Sequence, residues 1–122
     1  MPLQPEFITD LLDRLAPIDP IAARRMFGGW GLSLDGLTFA LISGDVLYLK
    51  VDDLTRPGYE ARSLGVFRPM ADRPALTSYH RAPDEIQDDA DELCAWARDA
   101  LGAARRVNAA PHPKRRKAGP AA

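Results

Sequence analysis

The side chains that could perform catalysis or hold a metal are two histidines, one cysteine and several carboxylates. His80 and His112 lie far apart in the chain, and neither has a second His or Cys at the spacing of a zinc site. A general base needs a partner group within hydrogen-bond reach, and the residues around His80 supply none by their spacing. His80 follows Tyr79 near a predicted strand end, so we expect it to be a surface or edge residue, and a small enzyme that uses it is the least favoured hypothesis. We predict no catalytic residue, no metal site and no cofactor.

The remaining candidates for chemistry have structural explanations. Cys94 follows Leu93 in a helical pattern, where a small residue suits packing. The glycines around Trp30 lack the spacing of a phosphate-binding loop, so we interpret them as sites of a bulge or tight turn between strands. Carboxylates that precede a helix oppose the positive end of its dipole. This explains the acidic group Asp84, Glu85, Asp88, Asp89, Asp91 and Glu92.

Two groups of residues could bind a partner. Arg24 and Arg25 are adjacent in a predicted strand and therefore point to opposite faces. Because exposed arginine and aromatic residues dominate the energies of interfaces, we predict an interaction surface that includes Arg24, Arg25, Trp30, Tyr79 and Arg81. The second group is a basic run that could contact phosphates without reading bases. It consists of Lys114, Arg115, Arg116 and Lys117.

The length and charge of the chain set the domain organisation. Its 122 residues are enough for one globular domain, and its hydrophobic fraction of 46% is that of soluble proteins. The net charge of -1 combines 17 acidic and 10 basic residues in 1–104 with six basic and no acidic residues in 105–122. We predict a domain over residues 1–106 and a disordered basic tail over residues 107–122. The single cysteine and the lack of a long apolar run predict a cytoplasmic protein without membrane contact.

The elements follow from hydrophobic periodicity and turn residues. Phe7, Ile8, Leu11, Leu12 and Leu15 share one face of a first helix. We predict strands over residues 23–27, 30–34, 38–42 and 46–51, a short helix that ends near residue 64, strands over 66–68 and 75–79, and a last helix capped by Asp89. The pattern predicts an α+β fold of two layers, an antiparallel sheet with helices packed on one face, in the order α-β-β-β(-β)-α-β-β-α.

Several short motifs resemble, in order and spacing, the N-terminal domain of the TfoX/Sxy family. They are RRMFGGWG at 24–31, DG at 35–36, FALI at 39–42, LYLKVD at 47–52, SY at 78–79, APDE at 82–85 and WAR at 96–98. The resemblance covers about residues 5–106. It implies a secretion-chaperone-like fold, no enzymatic activity, and a role in competence regulation with a transcription activator of the cyclic-AMP-receptor type. We expect a stand-alone N-terminal domain without the C-terminal domain of fuller family members.

We therefore expect a non-enzymatic regulatory or protein-interaction module whose partner is a protein, with a transcription activator as one candidate. The alternative is weak, non-specific nucleic-acid binding through the basic tail. Because a small antiparallel sheet has edges to protect, we also expect a weak preference for a homodimer.

Overall fold

A computed structural model describes residues 6–18, 20–26, 29–44, 46–68 and 76–109. Within these ranges the chain forms six strands, three α-helices and one short 3-10 helix at Asp84–Ile86. The strands are β1 (Ala22–Met26), β2 (Gly29–Leu34), β3 (Leu37–Ser43), β4 (Val46–Lys50), β5 (Val66–Phe67) and β6 (Leu76–Arg81). The helices are α1 (Glu6–Arg14), α2 (Arg56–Ala61) and α3 (Ala90–Ala109). The predicted α+β fold and its element order are confirmed.

The described strands form one antiparallel sheet in the order β1-β2-β3-β4-β6-β5. The first four strands follow one another as a meander. Asp35 and Gly36 both have positive φ, 53° and 82°, which is the conformation of a two-residue hairpin turn between β2 and β3. β6 then pairs with β4, so that β5 lies outside it at the edge of the sheet.

A β-bulge in β3 places two consecutive side chains in the core. Leu32 pairs with Ala40 and Ser33 pairs with Thr38, so Phe39 is the extra residue. Phe39 and Ala40 are both buried in the cluster on the helix side of the sheet, because a bulge turns the extra residue toward the face of its neighbour.

The main core lies between the sheet and the helices α1 and α3. Ile8 and Leu11 of α1 and Leu93 of α3 are almost fully buried there, together with Cys94. Four of the buried residues of α3 are alanines, namely Ala97, Ala100, Ala103 and Ala104. The helix continues to Ala109, three residues past the predicted domain boundary at residue 106.

A side-chain cap fixes the start of α3, and backbone hydrogen bonds fix the end of α2. Asp89 accepts hydrogen bonds from the backbone N–H groups of Asp91 and Glu92, at 3.0 and 3.2 Å, which confirms it as the predicted cap of α3. α2 ends in a Schellman motif, in which Ser63 N–H donates to Glu60 and Leu64 N–H donates to Tyr59. Ser63 has φ of 59°, a conformation that glycine adopts at lower cost.

Asp52 joins the end of β4 to the last turns of α3. Nε and Nη2 of Arg106 donate to its two carboxylate oxygens, and Oδ1 also accepts from the N–H groups of Leu54 and Thr55. The hydrogen bond from Arg106 is the largest influence that lowers the pKa of Asp52 from 3.8 to about 2. None of the described helices is long and apolar enough to cross a membrane.

Candidate interaction surface

The face of the sheet opposite α1 and α3 carries a row of five aligned residues, one each from β1, β2, β3, β4 and β6. Arg24 pairs with Gly31, Gly31 with Leu41, Leu41 with Tyr48, and Tyr48 with Arg81. Directly opposed residues of neighbouring strands share a face. Leu41 and Tyr48 belong to a small apolar cluster separate from the main core. We call this the outer face and define it by the row Arg24, Gly31, Leu41, Tyr48 and Arg81.

The outer face is basic. The six described strands contain no Asp or Glu, and their formal positive charges are those of Arg24, Arg25, Lys50 and Arg81. Lys50 is two residues from Tyr48 in β4, so it lies on the outer face with Arg24 and Arg81. Acidic residues of the described chain lie in helices, turns and connections. A positively charged face thus belongs to a chain whose net charge is -1.

The three cations differ in how they are held. Arg24 is exposed, and the structure gives it no ion pair with a described residue. Lys50 Nζ lies 5.0 Å from the centre of the Tyr79 ring, in a cation–π contact. Arg81 Nη2 donates to Asp84 Oδ1 at 3.1 Å, and both side chains of this pair are largely exposed. Such pairs contribute little to stability, so Arg81 can change partner at small cost.

Aromatic residues support this face from within. The rings of Tyr48 and Phe67 are 4.9 Å apart, and Phe67 is buried. Tyr79 is 9% exposed, and its hydroxyl donates to the carbonyl of Thr38 at 3.4 Å. Burial raises the pKa of Tyr79 to about 12, so the phenol stays neutral. Of these three rings, only that of Tyr48 is partly exposed for contact with a partner.

Two glycines of β2 let neighbouring groups approach this part of the sheet. A Cβ on Gly31 would lie 2.1 Å from Met26 Sδ, so the Met26 side chain covers the position that a side chain at residue 31 would occupy. A Cβ on Gly29 would lie 2.0 Å from the backbone oxygen of Ile42. Close approach of Ile42 and of Met26 therefore accounts for Gly29 and Gly31, and the bulge described in this part of the sheet lies at Phe39 rather than at these glycines. Gly28, the first glycine of the motif, lies outside the described residues.

The row ends at a cleft of about 710 Å³. Tyr48 and Arg81 line it from the sheet, and Arg62 lines it from the end of α2. Arg62 Nη1 is 3.5 Å from Glu85 Oε2, and its guanidinium lies 5.2 Å from the centre of the Trp96 ring. The outer face and the cleft form one continuous surface, because Tyr48 and Arg81 belong to both.

The structure separates the residues of the predicted interaction surface into two groups. Arg24, Tyr79 and Arg81 lie on the outer face, where the two arginines are exposed but Tyr79 is buried. Arg25 pairs in register with Trp30 on the helix side of the sheet, and its guanidinium lies 5.9 Å from the centre of that ring. The expectation that Arg24 and Arg25 point to opposite faces is confirmed. The basic run Lys114, Arg115, Arg116 and Lys117 lies outside the described residues.

His80 is buried in β6, which has a strand on each side, so the expectation of a surface or edge position was wrong. It pairs with Leu49 in register, faces the helices and is 4% exposed. Its Nδ1 lies 2.6 Å from the carbonyl oxygen of Leu64, which can only accept, so Nδ1 carries the proton. Nε2 has no hydrogen-bond partner among the described residues. His80 thus fixes the connection between α2 and β5.

The other residues considered for chemistry are also dispersed. Cys94 is 3% exposed, and its Sγ donates to the carbonyl of Arg14 at 3.3 Å. Within the described ranges, no group of three or more His, Cys, Asp or Glu residues could hold a metal ion.

Sequence reasoning did not include Tyr48, Lys50, Met26 or Arg62 in the surface. The signal for the first two was present in the sequence, because Tyr48 and Lys50 alternate with the apolar residues Leu47 and Leu49. Met26 covers part of the outer face because residue 31 is a glycine and leaves space for its side chain. Arg62 approaches the row only through the path of the chain from α2 to β5.

The chain was compared with known proteins. The family model described as the TfoX N-terminal domain matches residues 13–104. No curated protein matches the chain.

Proposed function

Since the chain belongs to the TfoX N-terminal domain family, we propose that it is a non-enzymatic regulatory module that binds a protein partner through the outer face. The observation that carries this proposal is the distribution of charge. Three cations lie on one sheet face whose strands hold no acidic residue. Met26 and Tyr48, both partly exposed, lie between Arg24 and Arg81. Arginine and aromatic residues around an apolar centre are the composition of energetically important interface regions.

The TfoX/Sxy family, which the chain resembles, is associated with competence regulation. This association favours a transcription activator as the partner. The lone cysteine, which is buried and free, favours action in the cytoplasm, where thiols remain reduced.

Affinity capture with charge-reversal variants tests the proposal. The wild-type chain, the double variant Arg24→Glu/Arg81→Glu and the control Arg98→Glu are used to capture proteins from host extract. Arg98 is an exposed arginine of α3, on the helix side of the molecule. We expect a partner that, once identified and purified, binds the wild type and the control but not the double variant. A partner that binds all three equally would show that the outer face is not the binding surface.

A second proposal is weak, sequence-independent nucleic-acid binding through the basic run Lys114 to Lys117, which the charge of residues 105–122 favours. Fluorescence anisotropy with a labelled duplex, at low and moderate salt, compares the whole chain with one that lacks residues 111–122. Binding should fall steeply with salt and should be lost on truncation. Equal binding by the two chains would refute this second proposal.

We also propose that the chain forms a homodimer, because pairing of two copies would cover an exposed edge of the sheet, at β1 or β5. Light scattering tests it, since a mass of one chain at high protein concentration would refute it.

A further inference from the structure

The cleft at the Arg81 end of the row has the size of a ligand-binding site. Its volume of about 710 Å³ lies within the range of about 300–1,000 Å³ that is usual for small-molecule sites. The residues that line it come from β4, from the connection between α2 and β5, and from the segment between β6 and the 3-10 helix. A cleft of this size accepts a molecule larger than a single inorganic ion.

Four charged side chains line the cleft, arranged as two ion pairs. Arg81 Nη2 lies 3.1 Å from Asp84 Oδ1, and Arg62 Nη1 lies 3.5 Å from Glu85 Oε2. The two carboxylates belong to neighbouring residues of the 3-10 helix, whereas the two arginines belong to different parts of the fold. Two adjacent anionic groups therefore already reach both arginines.

The two members of each pair are held differently. The side chains of Arg62 and Arg81 are 49% and 45% exposed, whereas those of their carboxylate partners are 74% and 76% exposed. The guanidinium of Arg62 also lies 5.2 Å from the centre of the Trp96 ring, in a cation–π contact. A displaced carboxylate would return to water, but a displaced arginine would stay half-buried without its counter-ion. The cleft is therefore suited to an anion that replaces the carboxylates, not to a cation that replaces the arginines.

The anion must bind arginine more strongly than a carboxylate does, because carboxylates of the chain itself compete for the same groups. A phosphate group meets this requirement, since it carries a charge of about -1.5 to -2 and three strong acceptor oxygens. It also accepts two parallel hydrogen bonds from one guanidinium. We infer that the cleft binds an anion with two adjacent phosphate groups, one on Arg62 and one on Arg81, which displaces Glu85 and Asp84.

Two further residues of the cleft fit such a ligand. Ser63 lies beside Arg62, and its hydroxyl can donate to a phosphate oxygen. Tyr48 pairs in register with Arg81 and is partly exposed, so it offers a surface to a group attached to the second phosphate. The ligand class therefore includes inorganic diphosphate and organic diphosphates such as a nucleoside diphosphate. This inference goes beyond the proposed protein partner and does not depend on it.

Isothermal titration calorimetry of the whole chain tests the inference with inorganic pyrophosphate, ADP, inorganic phosphate and succinate. The buffer contains no divalent metal ion, since diphosphates chelate such ions. We expect pyrophosphate or ADP to bind at least about tenfold more tightly than phosphate or succinate, because each diphosphate reaches both arginines with stronger acceptors. Tighter binding of ADP would identify an organic diphosphate as the ligand, and tighter binding of pyrophosphate an inorganic one. If neither diphosphate binds more tightly than phosphate and succinate, the inference is wrong.

Arginine variants locate the binding. Arg62→Gln and Arg81→Gln should each weaken binding of the tighter diphosphate by at least about tenfold, because each removes hydrogen bonds to a charged group. Arg98→Gln is the matched control, an exposed arginine of α3 outside the cleft, and should leave binding unchanged. Urea unfolding checks that each variant is folded. Equal binding by all three variants would place the diphosphate elsewhere, for example on the basic run, and would overturn the inference.

Variants of the two carboxylates should have the opposite effect. Asp84→Asn and Glu85→Gln each remove a competitor of the ligand, and the exposed ion pairs that they break contribute little to stability. We expect each substitution to tighten diphosphate binding by about two- to fivefold. If the ion pairs served only to shape the cleft, the same substitutions would weaken binding, and that result would contradict displacement.

Arg24 separates this inference from the proposed function, because it lies on the outer face and does not line the cleft. Arg24→Glu should reduce capture of a protein partner and leave diphosphate binding unchanged. Loss of diphosphate binding in this variant would move the site to the outer face and refute the cleft. A protein partner that ignores Arg24 would refute the proposed surface and leave the cleft intact.

Discussion

Replacement of Asp52 by Asn tests the link between the end of β4 and the last turns of α3. Asn keeps an oxygen that can accept from the N–H groups of Leu54 and Thr55, so the substitution removes the charge and leaves this local turn in place. A pKa of about 2 in place of 3.8 means that the folded state holds the carboxylate more strongly in its charged form. Through linkage this corresponds to about 2.5 kcal/mol of stability at neutral pH before solvent screening.

Screening reduces the expected effect. Arg106 is at the surface, where ion pairs are worth only a fraction of the full value, so we expect Asp52→Asn to lower the free energy of unfolding by about 1 kcal/mol at pH 7. Asp52→Ala should cost about 1 kcal/mol more, because it also removes the local acceptor. Asp53→Asn is the control. The neighbouring carboxylate forms a single contact with Arg56 and is fully exposed, so no comparable loss should follow.

The pH dependence identifies the cause. A carboxyl group whose pKa is lowered by folding stabilises the native state above its unfolded pKa and stops doing so as pH falls through the folded value. The difference between wild type and Asp52→Asn should therefore be constant from pH 7 to about 5 and should shrink between about pH 4 and 2. Urea unfolding followed by circular dichroism at several pH values measures this difference. A difference that stays the same down to pH 3, or an Arg106→Gln substitution that still destabilises the Asp52→Asn variant, would refute the reasoning.

Three further predictions concern single positions, each measured by urea unfolding. Gly29→Ala should destabilise by about 1–3 kcal/mol, because its Cβ meets the backbone of Ile42, whereas Gly31→Ala should cost less, since only the flexible Met26 side chain must move; equal costs would contradict this explanation. Ser63→Gly should stabilise by up to about 1 kcal/mol because φ is 59° there, and a loss of stability would show that the hydroxyl contributes. His80→Leu should cost about 1–3 kcal/mol, since it leaves the buried Leu64 carbonyl without a donor, and an unchanged stability would show that this hydrogen bond is dispensable.

Local features of the fold were predictable because their causes lie within a few residues. The Asp35–Gly36 turn and the Asp89 cap each depend on two or three neighbouring positions. In β4 the buried residues Leu47 and Leu49 alternate with Tyr48 and Lys50, a period of two that the sequence itself displays. Hydrophobic spacing likewise identified α1 and α3.

Features that depend on distant residues were not predictable. β6 pairs with both β4 and β5, and no local sequence pattern indicates which strands it pairs with. The burial of His80 was missed because its hydrogen-bond partner, the carbonyl of Leu64, lies sixteen residues away and no local pattern indicates it. Arg106 and Asp52 are 54 positions apart.

The candidate surface was partly predictable for the same reason. Alternation in β1 correctly separated Arg24 from Arg25. The alignment of Arg24, Tyr48 and Arg81 in one row required the register of five strands, which the sequence does not specify on its own.

The order of the strands has a consequence for how the sheet is completed as the chain is synthesised. β1 to β4 can pair in sequence as each strand emerges, but the next strand to appear, β5, has no contact with β4 in the finished sheet. Within the described sheet β5 pairs with β6, which occupies the place beside β4. Arg81 of β6 joins the row begun by Arg24 of β1 only when β6 pairs with β4, so the row is incomplete until that pairing forms. A nascent or partly unfolded chain therefore carries an incomplete binding surface, and binding through both arginines would select the fully assembled sheet.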